Sequence, residues 1–217
     1  MNDDLTPRQT PGQTPGQTPG QTPDQMDRIS AYGENFLAMW TYWHSLPKQN
    51  LMPHLSDYLD NVPPDLQPKV VLLDLQDPTG GNAVPLDITV RLAGTMVTAF
   101  TGEITGTNAE RLYQGKARAM AIRAAWTAAS QPCGYLVSRE VRSRFGLVFQ
   151  SRALILPLRT STTGSKTVLS FNERPPIKVN DAPRAAKSDQ VEAVLDYPMP
   201  HWLDIGARVP ARLSVPK

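Results

Sequence analysis

The stretch 116–130, KARAMAIRAAWTAAS, divides the patterning of this chain in two. It is alanine-rich, free of glycine and proline, and places Met120, Ala124 and Ala128 in one helical row. It therefore predicts the best helix of the chain, stopped by Gln131-Pro132. Before it lie two strand patterns. Lys69–Asp77, KVVLLDLQD, is rich in Val and Leu and reads as a buried strand. Leu86–Ala93, LDITVRLA, alternates, with Leu86, Ile88, Val90 and Leu92 on one face. The turn chemistry of Asp77-Pro-Thr-Gly-Gly-Asn82 between them predicts a hairpin. After the helix come three more strand patterns, at 134–144, 147–158 and 167–172. Phe145-Gly146 and Thr160–Ser165 supply the bends between them. Short helices are expected over Met96–Phe100 and from Thr107 or Asn108 to Tyr113, with Gly102 and Gly106 as helix ends. The order is a helix, two strands, short helices, one longer helix and three strands.

The leading helix is 34–46, ENFLAMWTYWHSL. Phe36, Met39, Trp40 and Trp43 recur at helical spacing and form a heavy aromatic face. That face must be covered, by the sheet of its own domain or by a second chain. The four residues are the candidate interface of a homodimer. A short helix is expected around His54–Asp60, closed by Pro63-Pro64.

The ends of the chain read differently. Of 217 residues, 21 are proline, concentrated towards both ends. Residues 9–23 repeat Gln-Thr-Pro-Gly with no recurring apolar residue to bury, so 1–28 is expected to be a disordered tail without chemistry. Residues 29–173 form the domain, and 174–217 a linker with a docking segment. Within the latter, 188–195 reads as two helical turns behind a good cap. The apolar cluster Tyr197, Met199, Trp202, Leu203 and Ile205 is expected to dock on its own domain or on a partner.

No run approaches the length of a membrane-spanning helix, and the start of the chain has no apolar signal region. One cysteine, Cys133, allows neither an internal disulfide nor a cysteine-rich metal site, and a cytoplasmic location is the default expectation. The net charge of +2 conceals a division. Residues 34–102 carry three basic and seven acidic side chains, whereas 103–159 carry nine basic and three acidic. Arginine's forked donors suit phosphates and carboxylates, which makes Arg142, Arg144 and Arg152 the candidate anion contacts. If 134–144 is a regular strand, Arg142 and Arg144 share a face and Arg139 points the other way. The basic segment also supports the alternative of a nucleic-acid or anionic-ligand binder, though with few interleaved aromatics nucleic acid is the weaker partner. No Gly-x-Ser-x-Gly, P-loop or His-Glu-x-x-His motif is present, so an enzyme is not expected.

The element order is that of a PAS domain, and the residues extend the likeness. Tyr42-Trp43 with Leu46, Pro68-Lys-Val-Val-Leu-Leu-Asp-Leu75, Arg91-Leu-Ala-Gly-Thr95, Glu103-Ile-Thr-Gly106 and Leu154-Ile-Leu-Pro-Leu158 resemble the alphaproteobacterial single-PAS family known as PAS_5. The resemblance covers roughly 34–173. It implies an α+β fold: a PAS-like five-stranded antiparallel sheet with helices on one face, here with an N-terminal flanking helix and a C-terminal extension. It also implies a sensory or regulatory protein that acts through contact with an unidentified signalling protein, with room for an unknown small ligand between helices and sheet. Val90, Leu92, Met120, Trp126, Leu154 and Leu156 are the residues expected to line that cavity. Covalent flavin is disfavoured because Cys133 lies after the long helix, outside the family's Asn-Cys-Arg context. Haem is disfavoured because 116–130 contains no histidine, and His44, His54 and His201 are not spaced as a metal site.

Overall fold

A computed structural model of the chain describes residues 22–76, 87–161, 165–173 and 190–211. Helix α1 spans Pro23–Tyr32 and α2 spans Glu34–Ser45. A two-residue ribbon follows, β1 (Lys48–Gln49) with β2 (Met52–Pro53), and then α3 (Leu55–Asn61). Strands β3 (Val70–Gln76) and β4 (Asp87–Ala93) form the first antiparallel pair of the main sheet. Next come α4 (Thr95–Thr101), a 3-10 turn at Ala109–Leu112 capped by the Asn108 side chain, and α5 (Gly115–Ser130). Strands β5 (Cys133–Ser143), β6 (Val148–Leu158) and β7 (Ser165–Glu173) complete the core, and β8 (Val191–Asp196) and β9 (His201–Asp204) follow.

The five central strands lie in the order β4-β3-β7-β6-β5, with every pairing antiparallel. β8 and β9 pair with successive parts of β5, β8 against its second half and β9 against its first. The C-terminal extension thus docks on its own domain by adding strands to the sheet. The two helical turns expected at 188–195 are a correction: the described part of that segment is strand β8. β5 otherwise offers a row of open backbone donors and acceptors, and pairing them outweighs the local helix preference of Glu192 and Ala193.

The sheet is covered on both faces. On one, α5 lies against β5, β6 and β7 through Ala117, Ala121, Ala124, Ala125 and Ala128, all under 10% exposed. Their small side chains let the helix axis come close to the strands. On the other face, α1 and α2 pack on Val70, Leu72, Leu136, Leu154, Leu156, Leu169 and Phe171. Phe36, Met39, Trp40 and Trp43 are each 0% exposed within the one chain. Phe36 meets Phe171 edge-to-face at 5.3 Å, and the Trp43 indole N–H donates to the Pro157 carbonyl at 3.2 Å. This corrects their assignment to a homodimer interface, because the sheet's outer face already covers them.

The first helix was also not foreseen. α1 begins at Pro23, so the last residues of the segment expected to be a tail are helical; its repeat residues up to 21 lie outside the described residues. Proline at the first helical position favours that start, since its missing N–H has no helical partner to lose. Gly33, at φ +137, separates α1 from α2 in a conformation other residues rarely adopt. The turn at Asp77–Asn82 and residue Leu86 likewise lie outside the described residues.

His44 is held in the aromatic layer, 4.1 Å from the Trp40 ring, with Nδ1 donating to the Trp40 carbonyl at 3.1 Å. Burial pulls its pKa down to about 4, so the folded chain keeps it neutral. The unfolded chain takes up that proton at the ordinary histidine pKa near ~6.5. Stability is therefore complete above about pH 6.5 and falls between there and about 4, by up to ~1.4 kcal/mol per pH unit. Urea titrations at pH 7.5, 6 and 5 should show the loss, and His44→Gln should flatten it.

Candidate functional site

Between the inner sheet face and the short helices lies a cavity of about 310 Å³. α4 contributes Met96, Val97, Phe100 and Thr101, and the 3-10 turn with the residue after it contributes Ala109, Leu112 and Tyr113. The floor is Val71 and Leu73 of β3, Val90 of β4 and Val141 of β5, with Phe149 of β6. Val191 and Val194 of β8 supply a further wall, so the C-terminal extension helps to build the cavity. Most of the lining is apolar.

The polar groups gather on one side of this wall. Arg139, half-buried on β5, donates through Nη2 to Asn172 Oδ1 at 2.8 Å and to Ser151 Oγ at 3.3 Å. Its Nη1 donates to the Tyr113 hydroxyl at 3.3 Å. Its Nε is buried and has no hydrogen-bond partner among the described residues. Nearby, Lys69 and Glu173 pair with each other at 2.5 Å, and Asn35 donates to the same carboxylate oxygen at 2.7 Å. Behind the cavity the hydroxyls of Tyr135 and Tyr197 meet at 2.9 Å, fully buried, and burial holds both pKa values above the ordinary tyrosine range.

The structure keeps one of the six expected lining residues. Val90 lines the cavity. Leu92 does not, because a bulge separates two registers: Leu73 opposes Val90 but Leu72 opposes Leu92. The extra residue, Arg91, reverses the parity and sends Leu92 to the α2 face. Leu154 and Leu156 also face α2, opposite in parity to the cavity-lining Phe149 and Ser151. Met120 and Trp126 sit half-buried on α5 beside the core but away from the cavity, and Lys166 Nζ lies 4.9 Å over the Trp126 ring.

The candidate anion contacts are not brought together. Arg142 pairs with Glu192 at 2.9 Å, tying β5 to β8. Arg152 donates to the Tyr32 carbonyl at 2.9 Å and secures the end of α1. Arg144 is exposed beyond the end of β5. The arginine that enters the cavity is Arg139, the one of opposite parity. Cys133 is buried where β5 pairs with β9, outside the cavity lining, and burial pushes its thiol up to about 12.

The family model PAS_5, a PAS domain, matches residues 34–171. The chain belongs to the PAS_5 family. None of the curated proteins matches it. Among solved structures, a fungal LOV domain photoreceptor is similar at 17% identity and a TM-score of 0.33, covering 69% of this chain and 99% of that one. At that score it adds nothing to the fold already read from the strand pairing. In this PAS_5 chain the matched residues run from α2 to β7, so α1, β8 and β9 lie outside the match. Among the described residues no helix is long and apolar enough to cross a membrane.

Proposed function

We propose that this PAS_5 domain is a cytoplasmic sensory protein that holds a small molecule between its helices and its sheet, and passes that state on by protein–protein contact. The observation that carries the reading is the cavity. Its volume is that of roughly ten water molecules at ~30 Å³ each. An apolar lining with a few converging polar groups is the usual form of a small-molecule site. We read the protein as regulatory rather than catalytic, because the converging groups are hydrogen-bonding Arg139, Tyr113, Ser151 and Asn172, with the nearby carboxylate of Glu173 already engaged by Lys69. The alternative of a nucleic-acid surface loses support, since Arg142 and Arg152 are spent on Glu192 and on the end of α1.

Native mass spectrometry of the full chain tests the reading. The expected result is a species heavier than the 23.9 kDa chain by one small molecule, with the added mass lost in Val191→Phe, which fills the cavity. A bare chain that also takes up no small molecule from a compound mixture would count against it. The same spectrum reads whether the chain pairs with a second copy.

A further inference from the structure

We propose that the cavity takes an anionic amphiphile, a carboxylate on a short hydrocarbon or aryl body, with Arg139 as the residue that holds the head group. This rests on the reading of the cavity as a ligand site and names the chemistry of what fills it. Arg139 carries a full charge into a mostly apolar space, and none of its partners is an anion: Tyr113, Ser151 and Asn172 are neutral. Of the other charged groups lining this cavity, Glu173 is matched by Lys69; Glu110 is outside its lining, ion-paired with Arg118 although its carboxylate oxygens are buried without a hydrogen-bond partner. Among the described residues the cavity wall therefore keeps one unneutralised positive charge, and the guanidinium keeps one buried N–H unused. A half-buried cation without a counter-charge is costly, and a guanidinium that at present donates only to neutral groups matches a carboxylate better than it matches them.

The rest of the cavity sets the body of the ligand. Met96, Val97, Phe100, Val141 and Val191 offer only apolar surface, and the volume admits on the order of ten to fifteen non-hydrogen atoms. A large multiply charged nucleotide fits neither the size nor the single arginine.

Isothermal titration calorimetry on the full chain tests this with two probes of equal length, octanoate and octanamide, each of about ten non-hydrogen atoms. Octanoate is expected to bind one per chain and octanamide at least about 10-fold more weakly. Arg139→Gln is expected to weaken octanoate by about 10- to 100-fold and to leave octanamide within about threefold. Arg139→Lys, which keeps the charge but not the fork, should fall between them and serves if the glutamine variant fails to fold. Equal affinity for the two probes, or octanoate binding unchanged in both variants, would overturn the proposal. If neither probe binds while native mass spectrometry still finds a bound molecule, the carboxylate assignment fails and the cavity reading stands. If neither binds and the chain is bare, both fail.

Discussion

A chain ending at residue 189 is expected not to fold, although the segment it loses lies outside the part that matches the PAS family. β8 and β9 together pair along most of β5, from Cys133 to Ser143. Ala193, Val194, Tyr197, Leu203 and Ile205 are all under 6% exposed. At roughly 1.5–3 kcal/mol for each of the four larger side chains, their burial contributes about 6–12 kcal/mol. That is comparable to the ~5–15 kcal/mol that stabilises a typical domain. Truncation also strips the buried Tyr135 hydroxyl of its Tyr197 partner and opens one wall of the cavity. Urea titration followed by far-ultraviolet circular dichroism at 25 °C should show no cooperative transition in the truncated chain. A transition at the full-length midpoint would mean that the extension is an independent appendage.

Trp43→Ala is expected to cost about 3–5 kcal/mol, the usual range for deleting a buried large aromatic. The side chain is 0% exposed, its indole N–H is bonded to Pro157 across the chain, and it stacks at 6.5 Å on Trp40. The loss should not depend on protein concentration. That feature separates the packing seen here from an aromatic face shared between two copies, for which the midpoint would rise with concentration. A loss below about 1 kcal/mol would show that α2 is not seated on the sheet.

Strand and helix periodicities carried most of the fold. The five central strands lie within a residue or two of the expected limits, as do α2, α4 and α5. What periodicity does not carry is which of two apolar faces meets which helices. Leu154 and Leu156 are apolar whichever face they take, and only the covering of both faces decides that they meet α2. Leu92 needed knowledge of a bulge, which is a matter of register between strands and leaves no local mark on LDITVRLA. Arg139 is more instructive. Its parity opposite Arg142 was legible, and a cation on a strand face together with Tyr135 and Val137 was the available signal that this face is internal. β8 was lost because Glu and Ala next to a capping serine favour a helix, while the reason for a strand lies about fifty residues away in β5.

Gln25 of α1 donates through Nε2 to the Asp204 carbonyl at 3.3 Å and accepts from the Asp204 N–H at 2.7 Å. The first helix and the last strand are therefore fastened together by a pair of bonds that imitates one rung of a sheet. The consequence is topological: the path of the chain from Gln25 to Asp204 closes almost into a ring, with these two residues side by side. A short peptide joining them would order few residues and close a small loop, so new termini can be cut elsewhere at little entropic cost. The same closure makes the fold a cassette, able to sit inside another chain with its neighbours entering and leaving at one corner.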